Sequence, residues 1–81
     1  MVASRTKKFK KELASLPASI QKKFSKQLGF LLADIRHPSL RAKKYDEGKG
    51  VWQARVDGHY RFYFIIDGDV YVLLNILAHL D

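Results

Sequence analysis

Two hydrophobic rhythms follow one another along the chain, and the change between them falls near Leu40. Ahead of it, Phe9, Leu13 and Leu16 recur at helical spacing among Lys7, Lys8, Lys10 and Lys11. This predicts a short amphipathic helix over residues 7–16, with Ser4 or Thr6 as its cap. Pro17 suits the first turn of a second helix. Ile20, Phe24, Leu28, Leu31, Leu32 and Ile35 then share one face of it, while Lys22, Lys23 and Lys26 take the other faces. Pro38 disfavours helical geometry at His37, so "RHPS" is expected to end this helix. The pair is expected to form a hairpin with basic outer surfaces.

From Leu40 onward apolar and polar positions alternate, punctuated by Gly48, Gly50, Gly58 and Gly68. "LRAKKYDEGKG" reads as a short strand or extended arm followed by a turn. "VWQARVD", "YRFYFII" and "DVYVLLNILAH" read as three antiparallel strands joined by tight turns at "DGHY" and "DGD". No repeat, low-complexity tract or linker interrupts them, so residues 1–81 are expected to be one domain. Its class is α+β: an N-terminal helical hairpin packed on one face of a small antiparallel β-sheet.

Alternation also determines which side chains share a face. A two-residue turn between the first two of these strands pairs Val56 with Arg61 and Arg55 with Phe62, mixing charge with aromatics on both faces. A three-residue turn over 58–60 sorts them instead. Trp52, Ala54, Val56, Phe62, Phe64 and Ile66 then face inward, and Gln53, Arg55, Asp57, Arg61 and Tyr63 face outward. The same test on "FIIDGDVYV" favours an odd-length or bulged connection at 67–69. It puts Val70, Val72, Leu74 and Ile76 in the core, with Tyr71, Asn75 and His79 on the arginine face. Arg61 is then opposite Asn75, and His79 lies four residues further on, roughly 13 Å away at ~3.3 Å per residue. A bend or bulge is needed to bring the imidazole to the guanidinium. The plain alternative for this face is solvent exposure, with Asp57 in weak surface ion pairs to Arg55 or Arg61.

Charge sharpens this picture. Of the 15 Lys and Arg residues, 12 lie in residues 1–44 beside only 2 acidic groups, whereas residues 45–81 hold 3 basic and 6 acidic ones. Such a field favours a polyanion: nucleic acid, an anionic membrane surface or an acidic protein. A solvated helix face carries the same lysines equally well. The chain has no cysteine, which removes disulfides and thiolate metal sites and suits a reducing cytosol. Its short, interrupted apolar runs and the lack of a signal-like N-terminus lead us to expect a cytoplasmic protein with no membrane segment. Neither a glycine-rich phosphate loop nor a metal-ligand spacing is present, so no cofactor and no metal are expected.

The materials on the outward face suit phosphodiester chemistry. Cleaving RNA through its own 2′-hydroxyl requires a group to take that proton, positive charge for the crowded phosphate, and an acid for the leaving 5′-oxygen. Arg55 and Arg61 offer planar forks for phosphate, with Gln53 as an added donor. His79 is the best candidate acid or base, because histidine is the side chain that titrates near neutrality. Tyr63 or Tyr71 could stack an unpaired base, as could Trp52, although its phase places it in the core. His37, before a proline, and His59, in a turn, are weaker candidates.

The ordered set "RHPSLRAKK" and "VWQARVDGHYRFYFIIDGDVYVLLNILAHLD", preceded by "LPASIQKKFSKQLGFLLAD", resembles the RelE/ParE superfamily of bacterial toxin–antitoxin toxins over nearly the whole chain. The RelE branch implies ribosome-dependent mRNA cleavage that inhibits translation, with neutralisation by an acidic or amphipathic antitoxin. In that resemblance Arg61 of "YR" corresponds to the phosphate-binding arginine. Gln53 and Arg55 fall at the basic strand positions, and His79 falls where members carry a C-terminal Arg or His. Lys22, Lys23 and Lys26, with Lys43 and Lys44, would contact RNA. The chain departs from the pattern in ending at Asp81, before the tail that in many members carries a late catalytic tyrosine. It has Gln53 where a lysine is common, and its first strand is expected to be short or absent. These departures leave room for the ParE branch, which poisons DNA gyrase, and for a non-catalytic module binding RNA or a protein partner.

Overall fold

In the computed structural model, which describes residues 1–79, a short strand β1 (Val2–Arg5) leads directly into helix α1 (Lys7–Ala14). Thr6 is the cap: its Oγ1 accepts the N–H of Phe9 at 3.0 Å, satisfying one of the donors that a helix start leaves unpaired. Helix α2 (Ala18–Ala33) follows, with Pro17 at its N-cap. It stops short of the predicted Ile35. Asp34 is extended and its carboxylate accepts the N–H of Arg36 at 2.8 Å, so a local side-chain turn ends the helix before the proline can.

Strands β2 (Lys43–Asp46), β3 (Val51–Arg55), β4 (Tyr60–Asp67) and β5 (Val70–Ala78) complete an α+β fold. The sheet order is β1-β5-β4-β3-β2. β1 is the short first strand, and it runs parallel to β5 at the edge, so the sheet is mixed rather than wholly antiparallel. No helix among the described residues is long and apolar enough to cross a membrane.

One apolar cluster joins both helices to one face of the sheet. Phe9 of α1 meets Phe24 of α2 with ring centroids 5.2 Å apart, and Phe24 meets Phe62 of β4 edge-on at 5.2 Å. Phe62 continues to Phe64 at 5.8 Å, and Phe64 to Tyr71 at 5.4 Å. Such offset and edge-to-face pairs are the favoured aromatic arrangements. Gln27, 5% exposed within α2, makes full use of its amide. Its nitrogen donates to the carbonyls of Ser39 at 3.1 Å and Arg55 at 2.9 Å, and its oxygen accepts the Ser39 hydroxyl at 2.9 Å. A buried amide is tolerated only when paired in this way, and here it fastens α2 to the end of β3.

The sorting of β3 and β4 follows expectation, but the register does not. Arg55 stands opposite Arg61, and Ala54 opposite Phe62, a slip of two residues that keeps the paired side chains on their expected faces; Ile66, expected inward, is 42% exposed at the end of β4. The loop is closed by Asp57, whose Oδ1 accepts the N–H groups of His59 at 2.8 Å and Tyr60 at 2.9 Å. Its other oxygen pairs with Lys23 at 3.3 Å, so the expected ion pairs to Arg55 or Arg61 do not form.

In β5 the expected phase fails. The connection from β4 is a two-residue turn in which Gly68 takes φ 60°, and Asp67 pairs with Val70. Tyr71 and Leu73 therefore enter the core in place of Val70 and Val72. A bulge where Phe64 pairs with Leu73 but Tyr63 with Asn75 then reverses the phase, returning Ile76 to the core. Leu74, the extra residue, is only partly buried.

Asp57 provides a pH test of this hairpin. Burial is the largest influence on its carboxyl and opposes ionisation, but the N–H groups of His59 and Tyr60 and the Lys23 ammonium together outweigh it. They hold the pKa below the ordinary aspartate value. A lowered folded-state pKa adds stability above the unfolded value, near 3.9, that is lost as pH falls through the folded value. The urea midpoint of the wild type is expected to drop between about pH 5 and pH 2 more steeply than that of Asp57→Asn, which keeps the acceptor but not the charge. Parallel profiles would show that the charge contributes nothing.

Candidate nucleic-acid interface

The sheet face turned away from the helices gathers most of the candidate residues. Arg55 and Arg61 are directly opposed across β3 and β4. Arg61 pairs with Leu77, not Asn75, so His79 lies only two residues beyond its cross-strand neighbour, and its N–H donates to the carbonyl of His59 at 2.6 Å. His79 thus lines the same cleft as the two arginines, two residues along the strand from Arg61's partner rather than four. Arg41, Lys43, Gln53, Arg55, Arg61 and His79 line one cleft of about 300 Å³. No Asp or Glu lines it. Gln53 is 6% exposed and sits opposite Lys43 of β2 and Tyr63 of β4.

Both guanidiniums are held in ways that leave positive charge uncompensated. Arg61 Nη1 donates to the carbonyls of Asp57 at 2.6 Å and Tyr60 at 3.0 Å, which locks the fork against the loop through one nitrogen. Arg55 Nε is buried without a hydrogen-bond partner among the described residues, a cost of about 1–3 kcal/mol. Like charges directly opposed on a sheet are destabilising as well. An anion between the two arginines offsets their repulsion, so the arrangement suits phosphate.

Arg41 is the cleft residue that sequence reasoning missed as a site residue. It has φ 45°, a left-handed conformation unfavourable for a long side chain. Its neighbours enforce it: Leu40 is fully buried, and the Leu40 carbonyl accepts the N–H of Arg55 at 2.8 Å. Backbone strain held by surrounding contacts is a feature of functional sites. Nothing in the spacing of "SLRAK" signals that conformation.

Several expected contacts lie elsewhere. Tyr71 is 5% exposed and packed edge-on against Phe64, so it belongs to the core and not to the arginine face. Lys44 is opposite Trp52, its ammonium 5.1 Å from the indole centroid, on the helix side of the sheet. Lys22, Lys23 and Lys26 of α2 line no part of the cleft: Lys23 holds Asp57, and Lys26 lies 5.9 Å from the Phe30 ring. Tyr63 is on the expected face, where burial first, and the nearby Tyr45 second, push its phenol up and keep it neutral. His37 stacks on Phe30 at 3.8 Å and accepts the N–H of Ser39, a structural task. Among the described residues no group of three or more His, Asp or Glu could hold a metal ion.

Similar proteins bear on this site. The sequence model described as the ParE toxin of the type II toxin–antitoxin system parDE matches residues 4–81. Among solved structures, the toxin–antitoxin complex RelBE2 from Mycobacterium tuberculosis superposes with a TM-score of 0.74 at 21% identity, covering 96% of each chain. The YoeB/ParE toxin from Agrobacterium tumefaciens does so at 0.79 with 12% identity, covering 99% of this chain and 100% of that one. For the RelB–RelE antitoxin–toxin complex from Methanococcus jannaschii the score is 0.65 at 20% identity, with 91% and 87% covered. A search of the curated proteins found no match. The structural likenesses establish a shared fold, and the sequence match spans nearly the entire chain: this protein belongs to the ParE toxin family of type II toxin–antitoxin systems, within the RelE/ParE superfamily.

Proposed function

We propose that the cationic cleft binds the RNA backbone and that the protein is a ribosome-dependent mRNA endonuclease acting in the cytoplasm. The observation that supports this reading is the opposed pair Arg55 and Arg61 with His79 beside it, in a cleft lined by no acidic residue. In the proposed reaction the 2′-oxygen attacks the adjacent phosphorus as His79 takes its proton, and the bond to the 5′-oxygen breaks, that oxygen gaining a proton from water. The arginines hold the non-bridging oxygens as charge builds on them. The products are a 2′,3′-cyclic phosphate and a 5′-hydroxyl. An antitoxin is the proposed regulatory partner, since two of the similar structures are toxins bound to theirs, and an acidic one suits a chain of net charge +7.

Induced expression in bacteria is expected to stop translation and leave mRNA cut within translated codons, seen as primer-extension stops. His79→Gln is expected to remove the stops while the purified variant keeps its fold. The second reading is a gyrase poison, favoured by the match to a family described as ParE. It requires intact mRNA, an SOS response and blocked supercoiling, and that outcome would replace the nuclease reading.

A further inference from the structure

Beside the cationic cleft lies a second hollow of about 360 Å³, where α1 reaches the edge of this sheet face; Lys8 of α1, Tyr45, Lys49, Tyr63, Asn75 and Leu77 line it. Its floor is aromatic. Tyr45 is 63% exposed, yet its ring is set against Tyr63 with centroids 5.0 Å apart and planes at 67°. Tyr45 is two residues from Lys43 and shares its face, and the bulge that sets Asp46 opposite Val51 leaves Tyr45 as the extra residue of β2. Asp46 also borders the hollow, but its Oδ1 accepts the N–H of Lys49 at 3.1 Å and is engaged in the turn.

Position gives the hollow a meaning. Tyr63 is opposite Gln53, a residue of the cationic cleft, and stands two residues from Arg61 on the same side of β4, about 6.6 Å along the strand. A phosphate held at Arg61 therefore places its attached nucleotide within reach of the tyrosines. An exposed aromatic ring flanked by lysines is what an unpaired base requires: a π-face for stacking and positive charge for the backbone. Burial pushes the Tyr63 phenol up; the carboxylates near the hollow are Asp46, and Glu12, whose Oε1 accepts from the lining Asn75 at 3.3 Å, set against Lys8 and Lys49.

We infer that the Tyr45–Tyr63 pair is a base-stacking site for the unpaired nucleotide next to the phosphate held by Arg55 and Arg61. The inference rests on the nuclease reading above and names the group that would position the nucleotide. The test is single-turnover cleavage, at subsaturating toxin, of mRNA on programmed ribosomes, using intact mRNA and mRNA with an abasic nucleotide on either side of the cut. Tyr45→Ala is expected to slow cleavage of intact mRNA by about 5- to 150-fold, the range for losing one base–aromatic stack. Tyr45→Phe is expected to cut at nearly the wild-type rate. On mRNA abasic at the stacked position, the wild type is expected to fall to the level of Tyr45→Ala, and the variant to lose nothing more. Equal rates for wild type and Tyr45→Ala on intact mRNA would overturn the stacking site and leave the nuclease reading standing. So would an equal loss on intact and abasic mRNA, since the ring would then act through the backbone. A wild-type protein that cuts no ribosome-bound mRNA would remove the nuclease reading, and the stacking site with it.

Discussion

Arg61→Lys is expected to lower mRNA cleavage on ribosomes by about 10²–10³-fold, the range for removing one preorganised donor from a developing oxyanion. The substitution keeps the charge, so a site needing only positive potential would barely notice it. Lysine cannot reproduce the fork, however. Arg61 uses one nitrogen to grip the carbonyls of Asp57 and Tyr60, which aims the rest of the planar group, whereas an ammonium on a flexible stem is a point charge without that aim. The fold is expected to survive. The Tyr60 carbonyl still accepts the N–H of Val56 at 3.0 Å, so the stability lost is about 1 kcal/mol, or roughly 4–8 °C in melting temperature. Cleavage rates measured beside thermal melts check both halves. Full activity in Arg61→Lys would show that fork geometry is unimportant and that the cleft supplies potential alone.

The largest stability effect is expected at Phe24. Its side chain is fully buried and touches the rings of Phe9 and Phe62, with the Arg5 guanidinium 5.6 Å from its own centroid. Phe24→Ala is expected to cost about 3–5 kcal/mol, against a total of roughly 4–12 kcal/mol for a chain of this length. At a slope of about 1–1.5 kcal/mol per molar, the urea midpoint falls by roughly 2–5 M. Leu32 shares the same helical stripe in the sequence but is 37% exposed, and Leu32→Ala is expected to cost less than about 1 kcal/mol. Similar losses at both positions would mean that α2 packs on a different face from the one described.

The contrast between Phe24 and Leu32 shows where one-dimensional reasoning stops. An apolar stripe at offsets of three and four residues specifies a helix and a face, but it does not say how wide a strip of that face the sheet covers. Leu32 lies outside the strip that the sheet covers, whereas Ile35, past the turn at which Asp34 ends α2, still packs against the core. Tyr71 was misplaced for a related reason. Its face depends on the two-residue turn at Gly68, and the bulge at Leu74 reverses the period-2 code again for the residues that follow.

Both helices, strands β3 to β5 with their order, and the opposition of aromatic and guanidinium faces on β3 and β4 were determined by the sequence, because those features are local or follow from a strict period, whereas β1 and its parallel pairing were not. Tertiary structure alone decided that Arg55 faces Arg61, that His79 lines their cleft, and that Arg41 is held left-handed at their side. These depend on a two-residue slip of register, a bulge, and the anchoring of Leu40 beneath the Arg55 backbone. Such events are settled by packing and hydrogen bonds between segments far apart in the chain, and a pattern of residue types does not encode them.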